Sequence, residues 1–590
     1  MHLTTFDWSL IIGFFVISLL IGVVVAKQSG QNSSEFFLSG RNMPWWLLGV
    51  SMVATTFSAD TPNLVTDIVR KNGISGNWVW WAFLITGMLT VFVYAKLWRR
   101  SGVLTDLEFY ELRYSGKAAA FLRGFRALYL GLFFNVMIMA TVTLAAIKIG
   151  GVLLNLSPLQ TVLIASLVTV SYTSMGGLRG VILTDFFQFA IAMIGTIWAA
   201  FVIVDLPQIN GVSNLLAHAD VAERLNFLPD FNNMEVLIPF FVLPLAVQWW
   251  SVWYPGAEPG GGGYIAQRML SAKDEKNAIG ATLFFNIAQY ALRPWPWIII
   301  ALCSLVVFPD IASLKTAFPN VDPSVVNDDL AYPAMLTYLP SGLLGLVIAS
   351  LIAAYMSTIS THLNWGSSYI VNDFYLRFVK PNASQKELVN VGRLSTFLLM
   401  VIAALIALLL TNALQAFHIL LQIGAGTGLI FILRWFWWRI NAYTEIAAMF
   451  ISFFVAVFFE IKFPEMSAHW KLLYGVGITT ASWIAITYIT PQTDNSTLLS
   501  FYKLIKPHSY GWKKVIQQGI ALNELKSSDV TTGKLPLELL AMFSGIFLVY
   551  GALFAIGFWI FGNLGSAFIA SIVAVLGAIV MFRSWGKVQG

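Results

Sequence analysis

Apolar positions in this chain gather into runs of about twenty residues, divided by short stretches rich in Lys, Arg, Asp, Asn and Gly. A helix rising 1.5 Å per residue needs a run of about that length to cross a hydrocarbon core of about 30 Å. The runs fall at 8–26, 45–68, 77–98, 126–150, 158–175, 180–204, 235–256, 277–308, 340–375, 390–411, 415–437, 441–461, 468–490, 537–560 and 564–584, which predicts fifteen helices. Breakers such as Gly176, Gly177, Asn412 and Gly562 divide neighbouring runs. The runs lack the polar–apolar alternation of membrane-barrel strands, so the expected class is an all-α polytopic membrane protein.

Two of the runs are interrupted. Residues 50–65, "VSMVATTFSADTPNLV", carry Thr55, Thr56, Ser58, Asp60, Thr61 and Pro62. Five runs later, "QWWSVWYPGAEPGGGGYIAQR" (248–268) carries Pro255, Gly256, Glu258, Pro259 and four glycines. Backbone freed from helical pairing at membrane depth persists only where protein or a water-filled cavity satisfies it. One such break is usually a packing kink, whereas two at matched positions, each with an acid, suit a transporter built from two five-helix halves. On that reading 1–30 is a peripheral helix, 45–205 and 235–437 are the two repeats, and 441–590 holds further peripheral helices around a loop at 491–536.

A third run is polar in another way. "AAYMSTISTHLN" (353–364) places Ser357, Thr358, Ser360 and Thr361 at the end of an apolar stretch. At about 100° per residue, Ala354, Ser357, Thr358 and Thr361 share one face, with Ser360 on its flank and His362 pointing away. A lone hydroxyl in such a helix commonly bonds back to its own backbone. Four within five positions suit a hard monovalent cation such as sodium, which needs several oxygens and must be released on every cycle.

Composition and charge sharpen the class. The chain of 590 residues is 58% hydrophobic and 11% charged, with a mean hydropathy of +0.74. The net charge of +6 does not point to nucleic acid, because the basic residues cluster in 96–126, 268–276, 377–393 and 491–536, the pattern that sets topology. These loops are expected in the cytoplasm, with the N-terminus outside, the C-terminus inside and the plasma membrane as the location. The first run has no basic leader and is followed by Lys27, so it reads as a retained helix. The opposite loops, 205–234 and 309–339, either cover the outer mouth or simply connect helices. The 491–536 loop, with its mixed aromatic and basic residues, suits an interfacial segment or a solvated connector. The single cysteine, Cys303, excludes an internal disulfide, and six scattered histidines form no catalytic constellation, so no enzyme is expected.

"GGLRGVILTDFFQ" (176–188), "YIAQRMLSAK" (264–273) and "AAYMSTISTHLN" together resemble motifs of the sodium/solute symporter family, over roughly residues 8–490. The resemblance implies a LeuT-like 5+5 inverted-repeat fold. It also implies a sodium site formed by Ala54 and Phe57 of the first broken helix with Ala354, Ser357 and Thr358. A second sodium set would use Asp185, Ser360 and Thr361. Sodium is then the coupling ion, with no other cofactor, and the partners are a small polar solute and the lipid bilayer.

The solute is less defined. Thr61 falls where sugar-transporting members carry a Gln, and "VWWAFL" (79–84), with Trp81, falls where a Glu is expected. Asp60 and Arg293 are the charges of most weight, because an intramembrane arginine costs about 2.5 kcal/mol or more unless paired. Arg293 either grips a substrate carboxylate or hydroxyl array, or pairs with Asp60, Glu258 or a loose carbonyl. Gln289, Trp253 and Tyr254 complete the candidate set. The expected function is sodium-coupled import of a sugar, carboxylate or amino acid by alternating access. The alternatives are a transporter-like membrane sensor, which would carry a signalling domain after the last helix, and a sodium-permeable channel.

Overall fold

The computed structural model describes residues 3–251, 259–319, 321, 326–410, 426–530 and 533–589. Among these residues there are helices and connecting turns but no strand. Eleven helices are long and apolar enough to cross a membrane, and two shorter apolar helices, Trp45–Thr56 and Met234–Ala246, join them.

Several of the fifteen expected runs are divided or interrupted locally. The expected pair at 158–175 and 180–204 is present as two helices within Pro158–Val204, divided at Gly177, where the backbone leaves helical geometry with φ 52° and ψ −157°. Only glycine populates that backbone region readily, and a side chain there would meet the Phe36 carbonyl oxygen at 2.6 Å. The run at 45–68 divides into Trp45–Thr56 and Thr61–Asn72, with residues 57–60 between them. The first half of the run at 415–437, to residue 425, lies outside the described residues, as does the centre of the second expected break.

Burial orders these helices from centre to rim. In the most apolar stretch of the hydroxyl-rich helix Leu343–Val379 89% of residues are buried, against 17% in the final helix Leu564–Lys587, so the first lies at the centre and the second at the rim. The N-terminal helix Thr5–Ser29 begins with a capping box in which Thr4 and Asp7 satisfy each other's backbone donors. The Asp7 carboxylate also accepts the Gly342 and Gly345 amides at 2.7 and 2.9 Å, tying this helix to the start of the central one.

The longer loops are docked against the helices. Both 205–234 and 309–339 converge on Arg70: its guanidinium bonds Asp328 at 2.8 Å, and its carbonyl accepts from Arg224 at 3.0 Å. In the 491–536 stretch Phe501, Tyr502 and Trp512 are fully buried. The Arg113 guanidinium lies 4.8 Å from the Trp512 ring, and the Trp512 indole donates to the Trp435 carbonyl at 3.0 Å. Glycine at 511 permits the approach, since a Cβ there would overlap the Phe436 carbonyl.

Candidate ion and solute site

The first broken helix and the hydroxyl helix meet directly. Trp45–Thr56 ends at Phe57, whose amide donates to the Ala54 carbonyl at 3.1 Å. Thr358 donates its hydroxyl to the Thr55 carbonyl at 2.8 Å and to its own Ala354 carbonyl at 3.1 Å. Ala54, Phe57, Ala354, Ser357 and Thr358 are all buried. Hydroxyls and half-freed carbonyls are thus gathered where two helices touch, an environment of hard oxygens.

Ser357, expected beside Thr358 on the first ion set, turns its hydroxyl to Asp185 instead. Its hydroxyl donates to Asp185 Oδ1 at 2.6 Å, while Ser51 donates to Asp185 Oδ2 at 2.5 Å. The other two hydroxyls of the proposed second set are engaged elsewhere: Ser360 donates to the Ser357 carbonyl at 3.1 Å, and Thr361 lies 2.9 Å from the Thr55 hydroxyl. Sequence reasoning missed the remaining member, Arg268, which it counted with a cytoplasmic basic loop. Arg268 is fully buried; it donates to Thr361 Oγ1 at 2.7 Å, to Ser51 Oγ at 3.2 Å and to Gln267 Oε1 at 3.0 Å. Its Nη2 is 3.8 Å from Asp185 Oδ2, too far for a hydrogen bond, so Ser51 bridges the two charges.

A separate cavity of about 110 Å³ opens beside the same helix end, lined in part by Thr56, Trp80, Thr86, Asn286, Gln289 and Tyr290. The helix Glu275–Val307 carries a π-turn over Ala288–Leu292, a local widening that re-aims Gln289 and Tyr290. Thr56 donates to Gln289 Oε1 at 2.8 Å, and Trp80 stacks on Tyr290 with ring centres 5.8 Å apart. Asn286 donates to the Thr282 carbonyl at 2.8 Å and leaves Oδ1 without a hydrogen bond.

The other solute candidates are dispersed. Arg293 donates to the Val53 carbonyl and to Thr56 Oγ1, both at 3.2 Å, and lies over the Trp297 ring at 4.9 Å. It does not line the cavity, and its Nε and Nη2 make no hydrogen bond. Among the described residues no ion pair joins it to Asp60, whose Oδ1 is also without a hydrogen bond. Thr61 donates to the Thr56 carbonyl at 3.3 Å, closing the break. Trp81 turns away from the cavity, packing 5.7 Å from Trp78, while its carbonyl accepts from Tyr550 at 2.9 Å. Its neighbour Trp80 takes the lining position instead. Trp253, Tyr254 and Glu258 lie outside the described residues.

A helix broken beside an oxygen-rich partner, with a largely apolar cavity carrying a few polar side chains at the same helix end, is the arrangement of a secondary membrane carrier. The chain belongs to the sodium:solute symporter family, whose sequence profile matches residues 36–452. It is 26% identical over 498 residues to the sodium/glucose cotransporter of Vibrio parahaemolyticus, covering 81% of this chain and 90% of that one. It is likewise 26% identical to the sodium/sialic acid symporter of Proteus mirabilis, over 76% of this chain and 88% of the relative. A solved structure of a sodium-coupled sialic acid symporter, substrate-bound and outward-open, superimposes with a TM-score of 0.67 at 20% identity, covering 83% of this chain and 99% of that one. The fold is therefore LeuT-like, and the protein is an integral, multi-pass sodium-coupled symporter whose relatives are transporters rather than enzymes.

Proposed function

We propose that this protein imports a small neutral polyhydroxylated solute, of the sugar or polyol class, with sodium across the plasma membrane. The cavity wall carries this reading. Gln289, Asn286, Thr86 and Thr56 line it beside the stacked Trp80–Tyr290 pair, and among the described residues no carboxylate, lysine or arginine does. Neutral hydroxyls suit such donors and acceptors, and the flat apolar face of a ring suits the indole. The names of the glucose and mannose cotransporters among its relatives agree with this class.

Sodium is held by Ala54, Phe57, Ala354, Ser357 and Thr358, and a second ion is received by Asp185 with Ser360 and Thr361. The two repeats, 45–205 and 235–437, alternate access around these sites, with the N-terminus outside and the basic loops in the cytoplasm. One charge crossing 100 mV supplies about 2.3 kcal/mol, so one or two ions sustain steep accumulation.

The deciding experiment is uptake into proteoliposomes of labelled sugars, polyols, carboxylates and amino acids, with and without an inward sodium gradient. Sodium-dependent accumulation of a neutral polyol supports the proposal. Accumulation of acids alone instead assigns the free Nε and Nη2 of Arg293 to a carboxylate, and no sodium-dependent uptake of any solute overturns both readings. A solute gradient should also drive sodium in reverse, which separates a coupled carrier from a channel.

A further inference from the structure

We infer that Arg268 is a tethered cation that competes with sodium for the Asp185 pocket and drives the ion out of it. The inference rests on the reading of Asp185 as the centre of a second ion set, and it names the residue that controls occupancy there.

The observations are geometric. Asp185, Ser51, Thr361 and Arg268 are all buried, and they come from four separate segments. The guanidinium donates to Thr361 Oγ1 at 2.7 Å and to Ser51 Oγ at 3.2 Å, taking lone pairs that an ion beside Asp185 would need. Its terminal nitrogen is 3.8 Å from the carboxylate. As it stands the pair is electrically neutral, and a sodium ion added to it would leave an uncompensated positive charge in the interior, which is costly. Arginine and ion therefore exclude each other electrostatically as well as for oxygen ligands.

The arm that carries the arginine is a short helix that begins at a run of glycines. Arg268 sits on Gly263–Ser271, and Gly260, Gly261 and Gly263 just before and at its start have φ of 84°, 90° and 56°. Its far end is tied to the start of the first broken helix, where the Met43 amide donates to the Ser271 carbonyl at 3.2 Å and Lys273 returns a bond to Met43 at 3.0 Å. A shift of this half-helix moves the guanidinium into or out of the pocket. With the arginine withdrawn, Asp185 and its surrounding hydroxyls offer an anionic, oxygen-lined site. With the arginine in place, the ion is displaced.

The test is equilibrium binding of radioactive sodium to purified full-length protein, compared with Arg268→Ala and Arg268→Lys. Removing the competitor should tighten the weaker sodium component by about tenfold or more, a change equivalent to 1.4 kcal/mol per factor of ten. Lysine, with one ammonium in place of the fork, should give an intermediate affinity. A merely structural arginine would do the opposite, because its loss would loosen the pocket and weaken sodium binding. Folded variants that bind sodium as weakly as the wild type, or more weakly, overturn the inference while leaving the sodium symporter reading intact. If Arg268→Ala does not fold, Arg268→Lys decides alone by the same sign. Wild-type protein that binds no sodium overturns both.

Discussion

The Thr358 hydroxyl donates to the Thr55 carbonyl across 303 residues of sequence, at 2.8 Å, between two buried helix segments. This bond fixes the hydroxyl helix to the last turn before the first break. Replacing Thr358 by Ala removes one donor and should cost about 1 kcal/mol of stability, the net worth of a typical buried hydrogen bond. Its larger effect should be on the ion: half-saturating sodium for uptake should rise by about tenfold or more for Thr358→Ala and Ser357→Ala. Thr358→Ser, which keeps the oxygen, should stay close to wild type. Unchanged sodium dependence in both alanine variants would remove these hydroxyls from the ion site.

Trp80 and Trp81 are neighbours with opposite duties. Trp80→Ala and Gln289→Ala should each raise the KM for the transported solute by about 10- to 100-fold, the effect of losing a stacking face or leaving a buried polar group unmatched. Trp81→Phe should leave KM alone and lower only thermal stability, since Trp81 packs against Trp78 and Phe554. Equal loss of affinity at both positions would contradict the placement of the cavity.

Gly177 turns Pro158–Val204 in a backbone region reserved for glycine. Gly177→Ala adds a strained backbone, of order 1–3 kcal/mol, and a Cβ against the Phe36 carbonyl. The variant should unfold at a lower temperature in a detergent thermal-shift assay. A neutral result would mean that Phe36 can yield at no cost.

Trp512 should act as the anchor of the 491–536 stretch. Trp512→Ala removes a fully buried indole that stacks on Phe501 at 5.4 Å and lies beneath Arg113, which should cost about 3–5 kcal/mol. Limited proteolysis should then cut this stretch first, ahead of the transmembrane helices. Protection equal to wild type would show that other contacts hold the segment in place.

The first break and the hydroxyl face were legible in the sequence because each violates an apolar run locally, within a dozen residues. A polar cluster at 55–62 and four hydroxyls in five positions need no knowledge of the rest of the chain. Arg268 was not legible. It follows an apolar stretch and precedes Lys273, Asp274 and Glu275, so it looks like the first charge of a loop, and only the fold brings it to Ser51, Asp185 and Thr361. The exchange of Trp81 for Trp80 has a different cause. A 3-10 turn at Ile74–Asn77 resets the helical phase just before them, and adjacent residues about 100° apart cannot be assigned to a face until that phase is known. The burial of Phe501 and Trp512 escaped for the reason that held for Arg268: their partners, Trp435 and Arg113, are distant in sequence.

The last turn of Trp45–Thr56 carries two consecutive threonines that serve different neighbours. The Thr55 carbonyl receives Thr358 from the hydroxyl helix, while the Thr56 hydroxyl reaches Gln289 on the cavity wall. On the proposed assignment of the two sites, a single peptide unit separates the ion's surroundings from the solute's. Thermodynamic linkage makes any influence between them mutual: whatever factor sodium adds to solute affinity, the solute must return to sodium affinity. Measured in either direction, that factor reads the stiffness of one helical turn.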